Sequence, residues 1–95
     1  MSKTFSILEI PTVHLNGTSG EDLLEQITEA GSAAFALLKA LERAAPNGRD
    51  YYVQGPDSLK RAEAEHRNRA SKVKEVLSEL ERIAEGIAEQ IERRG

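Results

Sequence analysis

Residues 24–45, LEQITEAGSAAFALLKALERAA, decide the fold of this 95-residue chain. Apolar or small side chains recur in this stretch at alternating spacings of three and four residues. They are Leu24, Ile27, Gly31, Ala34, Leu38, Leu41 and Ala45. This spacing places them on one face of a helix and is typical of a coiled-coil seam. Pro46 ends the helix, because proline disfavours the helical conformation of the residue before it.

The start of this helix carries two possible N-terminal caps. Thr18 with Glu21 fits a capping box, and the next residue pair, Ser19 with Asp22, offers the same solution. The sequence leaves this choice open. Either cap starts the helix near residue 20.

A second seam predicts a second helix, from about residue 56 to residue 93. Its positions are Val73, Leu77, Leu80, Ala84, Ile87 and Ile91, with Val76, Ile83 and Ala88 beside them. We therefore predict an all-α fold class, an antiparallel helical hairpin with helices at about 20–45 and 56–93. The chain forms one domain, 1–95, with an arm at 1–18, helix 1 at 19–45, an ordered loop at 46–56 and helix 2 at 57–95.

The arm is expected to cover an apolar surface. It holds Phe5, Ile7, Ile10, Val13 and Leu15, and Pro11 argues against a central strand. If position 45 pairs with about 57, residues after about 83 have no partner in helix 1. We expect both the arm and a second copy to cover them, which makes the protein a homo-oligomer.

Composition excludes several classes of function. The chain has no cysteine, which excludes disulfides and thiolate zinc sites. No apolar run is long enough to cross a membrane, and the N-terminus has no signal-peptide pattern. The formal net charge is −3, so we expect no duplex nucleic acid as a partner. The expected location is the cytoplasm of a bacterial host cell.

His66 and Arg69 form the first candidate site. His66 occupies a seam position where an apolar residue is expected, and Arg69 follows it in the same stripe. One interpretation is a half-buried histidine that bonds to the loop. The other is a pair that faces a ligand. A metal role is disfavoured, because only His14 could join His66 and no carboxylate pair has ligand spacing.

The loop around Tyr51 and Tyr52 is the second candidate. Tyrosines can stack on a base or a sugar, and Arg49 could bind a phosphate with both arms of its guanidinium group. The alternative is structural: a tyrosine caps the hairpin core and Arg49 fixes the turn together with Asp50. The sequence does not decide between the two.

The third candidate is the turn before helix 1, which contains Asn16, Thr18 and Ser19. Backbone amides at a helix N-terminus favour an anion, although an ordinary cap explains the same residues. Within one hairpin this turn should lie some 39 Å from the loop. Joining the two sites therefore requires an antiparallel partner subunit.

Other charged residues favour a solvated helix surface. Glu63 with Arg67, and Glu65 with Arg69, have the i,i+4 spacing of ion pairs. No nucleophile with a histidine and an orienting acid is recognisable, and no paired carboxylates lie in a predicted cleft. We expect no enzymatic activity, no cofactor and no metal.

The stretches PTVHLNGTSGEDLLEQ, APNGRDYYVQGPDSLKRA and AEHRNR resemble a group of small phage and prophage helical-hairpin proteins of unassigned function. The chain is more loosely similar to phage anti-defence sponges. These small helical proteins oligomerise and sequester cyclic nucleotide or ADP-ribose-type immune signals of CBASS and Thoeris systems. No binding residue is carried over from that family.

Two functional hypotheses follow. The first is a phage-encoded, non-enzymatic protein that sequesters a phosphorylated nucleotide signal. Its pocket would consist of Arg49, Tyr51, Tyr52, His66 and Arg69, with Asn16, Thr18 and Ser19 contributed by a neighbour. The second is a protein–protein inhibitor or adaptor that acts on a host or phage protein through helix 2 and the arm.

Overall fold

A computed structural model describes residues 7–94 of the chain. Its regular elements are two long helices, α1 (Gly20–Arg43) and α2 (Ser58–Arg94), and two short 3-10 turns between them, Gly48–Asp50 and Tyr52–Gln54. The long helices pack against each other and the described residues form no strand, which confirms the predicted all-α hairpin. The first six residues of the predicted arm, Phe5 among them, lie outside the described residues.

Helix α1 is capped by Ser19 rather than by Thr18. The Ser19 hydroxyl accepts a hydrogen bond from the backbone amide of Asp22 at 3.0 Å. The helix ends at Arg43, two residues earlier than predicted. The reason is local, because Ala45 precedes Pro46 and is pushed out of the helical conformation.

Helix α2 starts at Ser58, slightly later than predicted. Gly55 has φ 115° and ψ 166°, a conformation that only glycine adopts without strain. Pro56 lies before the helix, in the turn that leads to Ser58. The carbonyl of Asp57 accepts a hydrogen bond from the backbone amide of Arg61 at 3.1 Å, and this i,i+4 bond begins the hydrogen-bond pattern of the helix.

The chain divides into two compact units. Among the described residues, the first unit contains 7–32 and 78–94, and the second contains Ala33–Leu77. In the first unit the side chain of Ile87 is completely buried. A Cβ on Gly86 would lie 2.7 Å from Cγ2 of Ile10, so the N-terminal segment approaches α2 closely there.

The start of α1 lies beside the last turns of α2. A Cβ on Gly20 would be only 2.9 Å from Cγ1 of Ile91. The prediction that residues after about 83 have no partner in helix 1 is therefore wrong. The predicted pairing placed residue 20 beside about residue 83. Gly20 instead lies beside Ile91, so the register between the two helices differs from the predicted one by about two helical turns.

In the second unit, the loop between the helices contacts the first turn of α2. Gly48 lies against Leu59, in the first turn of α2, and a Cβ on Gly48 would lie 3.7 Å from Cδ2 of that leucine. The Ser58 hydroxyl donates a hydrogen bond to Oε1 of Gln54 at 2.7 Å. The loop thus packs on the beginning of α2. The hydrophobic spacing of the helices contains no information about this contact.

Candidate functional site

The loop between the helices has a defined backbone conformation. The side chain of Asn47 accepts a hydrogen bond from the amide of Arg49 at 2.9 Å, which caps the first 3-10 turn. The amide of Tyr51 donates to the carbonyl of Gly48 at 3.1 Å, and that of Gln54 donates to the carbonyl of Tyr51 at 3.0 Å. These local bonds hold the segment from Asn47 to Gln54 as two consecutive turns.

The two tyrosines differ in their surroundings. Tyr51 is half-buried, whereas Tyr52 is 77% exposed and its neighbour Val53 is 76% exposed. Tyr51 therefore fits the structural interpretation of the loop better than Tyr52 does. An aromatic ring and an aliphatic side chain are thus exposed at consecutive positions of an ordered loop.

The predicted ligand residues of the second unit have different degrees of exposure. His66 is half-buried, as its seam position predicts, while Arg49 and Arg69 are exposed. The predicted pairs Glu63–Arg67 and Glu65–Arg69 do not form ion pairs within 4.0 Å. Among residues 7–94, the oppositely charged side chains that do lie within 4.0 Å are those of Lys39 and Glu42, whose Nζ and Oε1 atoms are 3.7 Å apart. The guanidinium groups of Arg67 and Arg69 are therefore not held by these glutamates.

Asn16, Thr18 and Ser19 belong to the first unit and are all exposed. The Ser19 side chain is occupied as the cap of α1. The turn itself is closed by the amide of Gly17, which donates to the carbonyl of His14 at 3.1 Å. The His14 ring lies over Gly17, where a Cβ would come within 2.8 Å of Nε2. His14 therefore has a packing role in this turn.

A cleft of about 310 Å³ lies in the first unit and was not predicted. It is lined by Val13, Gly20, Glu21, Ile91 and Arg94. Its volume is at the low end of the range for small-molecule sites, and its walls combine apolar side chains with one acidic and one basic residue. None of the predicted ligand residues lines it.

Gln90 is a polar residue of this unit that the sequence-based predictions did not include. Its side-chain oxygen accepts a hydrogen bond from the amide of Val13, and its nitrogen donates to the carbonyl of Pro11, both at 2.8 Å. The amide group thus binds an extended backbone as a neighbouring strand would. The sequence does mark this position as unusual. Val76 and Ile83 are seven residues apart, and the same spacing predicts an apolar residue at position 90, where the chain has Gln90.

Comparison of the chain with protein-family models, with curated proteins and with solved structures finds no match. Within residues 7–94, no helix has the length and apolar character needed to cross a membrane. The same residues contain no group of three or more histidine, aspartate or glutamate side chains placed to hold a metal ion. Function must therefore be inferred from the surfaces of this chain itself.

Proposed function

We propose that this protein is a non-enzymatic binding protein for a phosphorylated nucleotide signal, and that the loop of the second unit is its recognition surface. The observation that carries the proposal is the exposure of Tyr52 on a loop whose backbone is fixed by Asn47. An exposed tyrosine on a fixed backbone can stack on a base with little loss of conformational entropy.

Charge supports a phosphate-bearing ligand. Residues 49–74 hold seven basic and four acidic side chains, 7 − 4 = +3, in a chain whose net charge is −3. Arg49 and Arg69 are exposed and can bind phosphate oxygens, and His66 can donate a hydrogen bond. The similarity to phage anti-defence sponges suggests the class of signal, a cyclic nucleotide or an ADP-ribose derivative in the cytoplasm of a bacterial host.

Calorimetric titration with ADP-ribose and with a cyclic dinucleotide tests this proposal. We expect binding of at least one probe, and loss of it in Arg49→Ala and Tyr52→Ala. Both side chains are exposed, so neither variant should change the melting temperature much. Arg43→Ala is the matched control, because Arg43 is an exposed arginine outside the loop. Equal affinities for the control and the loop variants would contradict the proposed surface.

A second candidate function is an inhibitor or adaptor that binds another protein through α2 and the N-terminal segment. The observation that favours it is Leu15, which is 92% exposed in the turn before α1. Exposed apolar side chains of this size can anchor protein interfaces. Leu15→Ser and charge reversal of Glu81, Glu85 and Glu89 should release a captured protein, whereas Tyr52→Ala should not.

A further inference from the structure

The N-terminal segment, residues 7–14, lies against α2 in the first unit and has no helix or strand of its own. A Cβ on Gly86 would lie 2.7 Å from Cγ2 of Ile10, and the three atoms nearest to that Cβ all belong to this isoleucine. Because Gly86 has no side chain, Ile10 can approach the backbone of α2 closely. The half-buried side chains of the segment are those of Leu8, Ile10, Pro11 and Val13.

Gln90 binds the backbone of the same segment. Its side-chain oxygen accepts a hydrogen bond from the amide of Val13, and its nitrogen donates to the carbonyl of Pro11, both at 2.8 Å. These bonds recognise an extended main chain, as in the binding of a peptide to a protein surface. Gly20 completes this surface, since a Cβ there would lie 3.4 Å from Cγ1 of Val13. We call Gly20, Gly86 and Gln90 together the acceptor surface.

The connection between the segment and α1, residues 14–19, makes few contacts. All six of its residues are exposed, and Leu15 is 92% exposed. Within the part of the chain that the structure describes, one backbone hydrogen bond closes its turn, from the amide of Gly17 to the carbonyl of His14 at 3.1 Å. Opening the connection therefore removes this bond and the packing of the His14 ring on Gly17, but it exposes no buried apolar side chain.

We propose that two copies of this chain exchange their N-terminal segments, so that residues 7–14 of each copy bind the acceptor surface of the other. The occupant is a second copy, because the segment seated on this surface shows which sequence fits it. The exchanged contacts are the same as those within one copy, which makes exchange a low-cost route to a dimer. Association is bimolecular, so a high protein concentration favours the exchanged form.

The length of the connection allows this exchange. Seven residue steps separate Val13 from Gly20, so an extended connection spans at most about 25 Å. In the dimer it joins α1 of one copy to a segment on the acceptor surface of the other. Two helices that are each about 10–12 Å in diameter fit side by side within that distance.

A mixture of two single-cysteine variants tests the exchange directly, because the chain has no cysteine of its own. Ile10→Cys places a thiol on the segment, and Gly86→Cys places one on the acceptor surface. The two variants are unfolded in urea, mixed, refolded together at high concentration and oxidised. We expect a disulfide-linked species of twice the 10.4 kDa mass that contains one copy of each variant, identified by mass spectrometry.

Glu9→Cys mixed with Glu85→Cys is the matched control, because these two glutamates are the exposed neighbours of the substituted positions. This control measures the linkage that arises when exposed thiols collide. Linkage between Ile10→Cys and Gly86→Cys that does not exceed the control would overturn the exchange.

Sedimentation velocity of variants without cysteine gives a second test. The unmodified chain, refolded at high concentration, should contain a species of twice the 10.4 kDa mass. Ile10→Asp damages only the segment and Gly86→Leu fills only the acceptor surface, so each variant alone should lose this dimer. The two variants refolded together should regain it, because the acceptor surface of the first still binds the segment of the second. Circular dichroism of each variant checks that the helices remain folded.

Glu85→Leu is the control for Gly86→Leu, since it adds the same side chain at an exposed position of α2 and should dimerise as the unmodified chain does. A mixture of Ile10→Asp and Gly86→Leu that remains monomeric would contradict the exchange. So would a Gly86→Leu variant that dimerises as well as Glu85→Leu.

Discussion

Gln90 shows at the scale of one residue how the N-terminal segment is held. Its amide group satisfies the amide of Val13 and the carbonyl of Pro11, which an extended segment cannot satisfy within itself. The sequence pattern predicts apolar contacts for this segment and does not predict a polar one. Hydrophobic spacing identifies where an apolar residue is missing, but not which distant backbone the polar residue binds.

Replacing Gln90 by leucine should lower the free energy of unfolding by about 1–3 kcal/mol, because two partly buried backbone groups lose their partner. Urea denaturation measures this loss, and hydrogen exchange at the Val13 amide should become faster. Glu89→Leu is the control, since Glu89 is the exposed neighbouring residue. Equal stability losses in the two variants would contradict the role of the amide.

The cap of α1 gives a second prediction at the residue scale. Ser19→Ala should cost about 1 kcal/mol, because the amide of Asp22 loses the hydroxyl that it donates to. Thr18→Ala should change stability by much less, although the sequence alone offers both residues as caps. Thermal unfolding of the two variants side by side distinguishes them, and a larger effect at Thr18 would contradict the observed cap.

At the scale of the elements, the periodicity of the sequence predicts both long helices and their contact. The six seam positions from Leu24 to Leu41 are all half-buried, as a helix packed on one face requires. The register is not predictable in the same way. It depends on the 3-10 turns and on the contact of Gly48 with Leu59, which carry no helical period.

Gly55 is the backbone position on which the exit from the loop depends. Gly55→Ala should destabilise the protein by about 1–3 kcal/mol, because alanine is strained at φ 115°. Gly48→Ala is the control, since a Cβ there meets Leu59 at an ordinary 3.7 Å. Chemical denaturation of both variants measures the difference, and a harmless Gly55→Ala would show that the loop has another conformation.

At the scale of the whole molecule, fold and site differ in how far the sequence predicts them. The all-α hairpin follows from spacing alone, because periodicity reports directly which face of a helix is buried. The candidate site combines residues such as Arg49 and Ser19 that belong to different units of the chain. Spacing cannot show that such residues meet, and the proposed site requires a second copy to bring them together. The residues of the site remain a prediction.

The most direct test of the central claim is native mass spectrometry of the unmodified chain and of Tyr52→Ala after incubation with an extract of phage-infected, defence-positive cells. This measurement requires no prior choice of ligand. We predict a multiple of 10.4 kDa that carries a bound small molecule in the unmodified chain and loses it in Tyr52→Ala. An unliganded spectrum for the unmodified chain, or the same adduct on Tyr52→Ala, would contradict the claim that this loop binds a nucleotide signal.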